Sequence, residues 1–396
     1  MQRRDFIKTG SLASAAIWMP KFLQGLKTPG ILPLQGRKLV ILQLSGGNDG
    51  LNTIIPTRND VYYRERPRLG IKRENALALN DETGIHPVLS GLKNLWDDGA
   101  MAILNSVGYP NPDRSHFRSM DIWHSASPAS EYWQTGWIGR YLDAHCAGRP
   151  YAALEFDDTL SLALKGEHTK GLALQDAQKL YESTRSPFFS AYSAAHGKVA
   201  NDDAPVDYLY KTMAETLDSA DYLFEQSRKK TSTANYPATG LGKDLKTIAS
   251  LILADTETSV FYASLGSFDT HINQDGQQKR LFQELNDALT AFAADMKANG
   301  KWQDVLVVTF SEFGRRVAQN ASGGTDHGAA NNMLFLGGSL RKKGMLNSLP
   351  DLTDLTDGDL KYRVDFREVY AALLERWLDA DAKKVLGGTF RPIDLV

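Results

Sequence analysis

The sequence predicts an α/β fold, a mostly parallel central sheet with helices on both faces. Three observations lead there. Uninterrupted apolar runs such as Leu39 to Leu44 and Val305 to Phe310 read as strands buried on both sides. Stretches with helical periodicity, the longest from Gln277 to Asn299, separate them. Apolar runs are also read as ending in small polar turns that carry an acid or a histidine: Ser45 to Gly50, Ser267 to His271, Ser311 to Arg315 and Gly324 to Gly328. In an open α/β sheet the carboxyl ends of the strands share one edge, so such turns can converge there from distant parts of the chain.

Taken in order, residues 1–36 read as an export signal with its linker. Arg3-Arg4 stands before Phe6, Ile7 and Lys8, and an apolar, acid-free stretch runs from Thr9 to Pro20. That order of regions resembles a twin-arginine signal, which places the mature protein in the periplasm or outside the cell and makes the export machinery a partner. Ala13-Ser14-Ala15 has the form of a cleavage site but lies inside the apolar stretch, so the mature chain is expected to begin between Pro20 and Arg37. The stretch is too short to be a stable membrane span.

Residues 37–396 are expected to form a single domain. Leu39 to Leu44 is the first strand and Val88 to Asp98 a helix; Ala100 to Val107 is the next strand. A loop with two prolines, Gly108 to Arg114, leads into a helix over Ser115 to Ser125. From about 150 to 245 the pattern is less regular and more helical, with a long polar helix from Tyr208 to Lys229 and a Ser/Thr/Gly/Pro-rich loop from Thr231 to Gly242. This third is expected to be an insertion or cap. The alternation then returns with a helix to Ala254, strands over Val260 to Leu265, Asp304 to Phe310 and Asn332 to Leu336, and a helix from Phe366 to Leu378.

Composition limits the partners. In 396 residues there are 45 basic and 47 acidic side chains, mixed throughout, with a net charge of −2. That balance offers no nucleic-acid surface. The single cysteine, Cys146, excludes an intrachain disulfide and reads as a small buried apolar residue.

The turns carry the chemistry. Asp269 and His271, two residues apart on an extended strand end, point to one side and could share a cation, with His327 closing the site from another turn. A helix cap by Asp269 and a plain turn contact by His271 are the alternatives. Glu312 follows a very apolar strand, where a buried carboxylate needs a partner, either a metal ion or Arg315 or Arg316. Arg315 could equally hold an anionic substrate. Asp49 is a ligand or a helix cap. Ser115 sits where a helix begins, suited to an activated hydroxyl or to ordinary capping, and His116 beside it could be a base or a ligand. The two glycines before Asp49 do not make a dinucleotide fingerprint.

These motifs in this order, SGGNDGLNT (Ser45 to Thr53), PDRSHF (Pro112 to Phe117), SFDTH (Ser267 to His271), SEFGR (Ser311 to Arg315) and GTDHG (Gly324 to Gly328), resemble the bacterial family known as domain of unknown function 1501. The resemblance spans essentially the whole chain. More distantly the chain is similar to the alkaline phosphatase and sulfatase superfamily. That similarity implies an alkaline phosphatase-like fold and a divalent metal, zinc first, with manganese or calcium as alternatives. By it Asp269, His271 and His327 would hold one ion, Asp49 and Glu312 would serve a second together with Ser115, and Ser115 would be the nucleophile. From the residues themselves, His116 and Arg315 join the catalytic set, Arg315 to neutralise the anionic group. The chain departs from the pattern in having no histidine beside Glu312, and Ser115 is not in a Cys/Ser-x-Pro-x-Arg motif. Two functions are therefore expected in competition. One is an exported hydrolase acting on small-molecule or glycan anionic esters, phosphate or sulfate. The other is a non-catalytic scaffold or binding protein that keeps the fold, with or without one structural ion.

Overall fold

The computed structural model describes residues 36–187 and 204–396. The export signal expected in the first 35 residues lies outside the described residues. The α/β fold expected from the sequence is found, built on a mixed and mostly parallel sheet of nine strands among the described residues.

The strands of the main sheet are β1 (Lys38–Leu44), β2 (Met101–Gly108), β3 (Ala153–Phe156), β4 (Leu172–Ala173), β5 (Val260–Leu265), β6 (Val305–Phe310), β7 (Asn331–Gly337), β8 (Gly344–Met345) and β9 (Val364–Asp365). Their spatial order is β8-β2-β7-β6-β1-β5-β3-β4, with β9 beside β2. Strand β1 lies at the centre, parallel to β5 with Ile41 opposite Tyr262, and parallel to β6 with Ile41 opposite Val308. Every residue of β1, β2 and β6 is buried, as strands covered on both faces must be. Alternate residues feed two cores: Val40, Leu42 and Leu44 enter one, Leu39 and Ile41 the other.

Helices α1 (Ser90–Asp97), α6 (Gly240–Leu253) and α7 (Gln274–Ala298) supply the first core. Helices α2 (His116–Ser125), α3 (Trp137–His145) and α8 (Phe366–Ala372) supply the second. In the second, Trp123 of α2 stacks on Phe310 of β6 at 5.1 Å and on Phe366 of α8 at 4.3 Å. That stack fixes α2 against the sheet and so sets where its first turn lies.

Strand β7 runs antiparallel to both neighbours, β2 and β6. The turn Gly324 to Gly328 therefore does not follow a strand, as the sequence suggested. It precedes β7, and reaches the functional edge because β7 starts where its neighbours end. The middle third also differs from a simple cap. It opens by adding β3 and β4 to the sheet, with Glu155 opposite Tyr262 of β5, before continuing into α4 (Ala177–Thr184) and α5 (Ala204–Lys229). No helix of the described residues is long and apolar enough to cross a membrane.

Candidate metal centre

Four turns meet at the carboxyl edge, and Arg315 joins three of them. Its guanidinium is fully buried and donates from Nε to Gly47 O (2.7 Å), from Nη1 to Thr325 O (2.8 Å), and from Nη2 to Phe268 O (2.9 Å), Gly46 O (2.5 Å) and Asp269 Oδ1 (2.8 Å). A rigid planar fork matches such a set of acceptors. These donors are spent inside the protein, so Arg315 holds the turns together and does not face a substrate as the sequence suggested. Close approach also needs Gly46 and Gly47, both at positive φ (116° and 79°). A Cβ on Gly46 would meet Asp269 N at 2.4 Å, and one on Gly47 would meet the Phe313 ring at 2.4 Å.

Three imidazoles stand on this platform. Buried Phe313 underlies two of them, its ring centre 4.8 Å from that of His116 and 4.6 Å from that of His327. Each ring uses Nδ1 on an acceptor: His116 on Glu312 Oε1 at 2.8 Å, His327 on the carbonyl of Arg114 at 2.8 Å, His271 on Asp326 Oδ1 at 3.2 Å. A carbonyl or carboxylate oxygen only accepts, which places a proton on Nδ1 and, in the neutral imidazole, leaves the lone pair on Nε2. All three Nε2 atoms then turn toward Asp269. His271 Nε2 lies 3.0 Å and His327 Nε2 3.2 Å from its Oδ1, and His116 Nε2 lies 3.5 Å from its Oδ2.

The two nitrogens of His271 and His327 are 2.9 Å apart, and the ligand atoms of His116, Asp269 and His327 lie within 4.8 Å of one another. His116 Nε2 is buried without a hydrogen-bond partner. This is a set of acceptors facing one another with no protein donor among them other than Arg315, and a cation resolves the conflict. The His271–His327–Asp269 triangle, with edges of 2.9 to 3.2 Å, is close to the roughly 3.3 Å separation of ligands bonded at about 2.0 Å around a tetrahedral ion. The residues present therefore fit a divalent metal.

Electrostatics bear on both partners. Burial would raise the Asp269 carboxyl, but the hydrogen bond and charge of Arg315 hold it down at about 2. It is ionised at any ordinary pH. The hydrogen bond that His116 Nδ1 donates to Glu312 raises that imidazole above its usual range against the opposing effect of burial, so a metal ion there would compete with a proton for Nε2.

The second ion implied by the superfamily similarity is not assembled from the expected residues. Asp49 is buried and caps the short helix Gly50–Thr53 through Leu51 N. Its other oxygen meets Arg66 Nη1 at 2.6 Å, and Gln274 Nε2 donates to it at 2.5 Å. This buried ion pair stands in place of a ligand role, and Asp49 takes the capping alternative. Glu312 is likewise occupied, accepting from Gly46 N at 2.9 Å and orienting His116. Ser115 is the N-cap position of α2, exposed, and its side chain makes no capping hydrogen bond. It sits between Arg114, whose carbonyl accepts from His327, and His116. The sequence left His116 open as a base or a ligand; its Nε2 lies beside Asp269, and Glu312, which the sequence offered as a ligand, instead holds its Nδ1.

Among solved structures, the chain is similar to the lipoteichoic acid synthase LtaP from Listeria monocytogenes (11% identity, 92% of this chain and 77% of that one, TM-score 0.41). It is also similar to the PsFucS1 sulfatase from Pseudoalteromonas sp. (11%, 92% and 74%, TM-score 0.39) and the phosphonate monoester hydrolase SpPMH from Silicibacter pomeroyi (10%, 89% and 76%, TM-score 0.39). None of these likenesses bears on the chemistry of the site. No curated protein matches the chain. The model of the family described as protein of unknown function (DUF1501) matches residues 36–375, which takes in all five motifs and every turn of the site. The chain belongs to that family.

Proposed function

We propose that this chain is an exported, metal-dependent hydrolase of phosphate or sulfate esters. The observation that carries the reading is the convergence of three Nε2 atoms on the ionised carboxylate of Asp269. His116, His271, His327 and Asp269 would hold one ion. Three imidazoles and one carboxylate suit zinc, accept manganese, and disfavour calcium, which prefers oxygen ligands. A divalent ion held there supplies Lewis-acid polarisation of an ester oxygen.

The protein's own groups account for the rest. Ser115 presents an exposed hydroxyl at the first turn of α2, where free backbone N–H groups and the helix dipole favour an anion. Its oxygen would attack the phosphorus or sulfur while the bond to the ester oxygen breaks, the hydroxyl proton leaving with the departing alcohol, and water would then hydrolyse the seryl ester to release phosphate or sulfate. Arg315 keeps Asp269 ionised and in place, and Glu312 and Asp326 keep His116 and His271 in the tautomer that presents Nε2. Supporting the export half are the twin-arginine-like start and its machinery as partner, with the periplasm or the exterior as destination.

One observation favours the competing scaffold reading: Asp49 and Glu312 are engaged by protein groups, which leaves material for one ion only. The test is metal analysis of the mature protein together with a panel of aryl phosphates and sulfates. About one zinc per chain is expected, lost in His271→Ala and His327→Ala, with turnover abolished in Ser115→Ala. Stoichiometric zinc without turnover supports the scaffold. Absence of bound metal in wild type, and no change in melting temperature on adding zinc, would remove the hydrolase reading.

A further inference from the structure

Few large apolar side chains are exposed among the described residues, and two of them directly follow histidines of the cluster. Among the described residues the exposed ones are Phe117, Tyr132, Ile272 and Tyr362. Phe117, 88% exposed, directly follows His116; Ile272, 61% exposed, directly follows His271. Tyr362 lies against Gly108 at the carboxyl end of β2, where a Cβ on that glycine would meet the tyrosine Cβ at 2.9 Å. A single exposed apolar residue is unremarkable, but a large one beside each of two ligand histidines marks a rim.

Two partly exposed guanidiniums stand on the same rim. Arg114, whose carbonyl accepts from His327, and Arg316, whose N–H donates to Asp326 O, both reach toward one buried carboxylate, Asp359. Their side chains remain 40% and 37% exposed. The Arg316 contact is long, 3.6 Å, and its Nε has no hydrogen-bond partner. Asp326 and Asp357 join Asp359 around the two guanidiniums, which are thereby partly neutralised but, being partly exposed, stay open to a further anion. Since Arg315 is spent inside, these are the guanidiniums available to an anion.

We infer that the substrate is an anionic ester with an apolar aryl or acyl arm, the arm lying over Phe117 and Ile272 and the anion taken by Arg316 with Arg114. This rests on the hydrolase reading for the location of the ester, but it can be read by binding alone. Hydrophobic contact with an exposed ring and a cation within reach of the anion recognise the two ends of such a molecule independently.

The experiment is calorimetric titration of the zinc-loaded full-length mature protein with phenylphosphonate and with methylphosphonate, neither of which is hydrolysed. Phenylphosphonate is expected to bind about tenfold more tightly than methylphosphonate, the scale of one aromatic contact. In Phe117→Ser, whose side chain is too exposed to be needed for folding, the two affinities converge. In Arg316→Gln both fall by a similar factor, with zinc content unchanged as the control. Equal affinities in wild type, or a preference that survives Phe117→Ser and Ile272→Ser together, overturn the apolar arm. Unaltered affinity in Arg316→Gln overturns the anion contact. Sedimentation with phosphatidylglycerol vesicles that is lost in Phe117→Ser, without any preference between the phosphonates, would instead make the rim a lipid contact and overturn the proposal. Zinc binding and aryl phosphate turnover are measured separately, so failure here is distinguishable from failure of the hydrolase reading.

Discussion

Glu312 shows how a residue's role is set by what it touches. Its carboxylate is buried, accepts Gly46 N, and holds Nδ1 of His116. It reaches the ion only through the imidazole, as a carboxylate that fixes tautomer and direction. Glu312→Gln keeps the acceptor oxygen but loses the charge, and is expected to weaken zinc affinity by about tenfold or more while leaving the fold intact. Competition titration against a chelator measures this. A wild-type affinity in the mutant would mean that His116 needs no such support. The residue type was legible in the sequence, since an acid after a buried strand must find a partner. The partner was not, because His116 is 196 positions away.

At the scale of the element, the four turns form one unit because Arg315, Asp49 and Gln274 bind them from beneath. Gln274, at the start of α7, donates to Asp49 and accepts from Thr325 Oγ1, while Thr325 O accepts from Arg315. Asp49→Ala would leave Arg66 buried without its carboxylate. Such a loss costs about 3–5 kcal/mol, to be read in urea unfolding of the metal-free protein. Metal stoichiometry should be retained. If zinc is lost instead while stability is unchanged, Asp49 is a ligand and the capping role is secondary. The sequence showed Gly46-Gly47 ahead of Asp49 and allowed close backbone approach. It could not show that the groups approached are Phe268, Asp269 and Phe313, which come from two other strand ends.

For the whole molecule, pH acts through histidines far from the ligand set as well as within it. Burial pushes His124 down to about 4, and His86 likewise. Between about 6.5 and 4 the unfolded chain binds these protons and the folded one does not, so stability present at pH 7 is lost as pH falls through that window. Glu155 acts in the opposite sense. Burial raises its carboxyl to about 7, so its contribution is lost as pH rises through that value. The expected result is a fall in melting temperature from pH 7 to pH 5 in chelator-treated protein that is smaller in His124→Gln than in wild type. An equal fall in both would show that His124 is protonated without cost.

The sequence by itself determined the α/β class, the positions of the main strands and helices, and the residue types available at the sheet edge. Those depend on local periodicity and on burial of both faces of a strand, which are written in consecutive residues. The direction of β7, the entry of Ala153–Phe156 into the sheet, and the contacts of the acids, Asp269 among three imidazoles, Glu312 on His116 and Asp49 on Arg66, were decided only in three dimensions. Each depends on which group lies opposite, and for Asp269, Glu312 and Asp49 that group comes from another strand or turn.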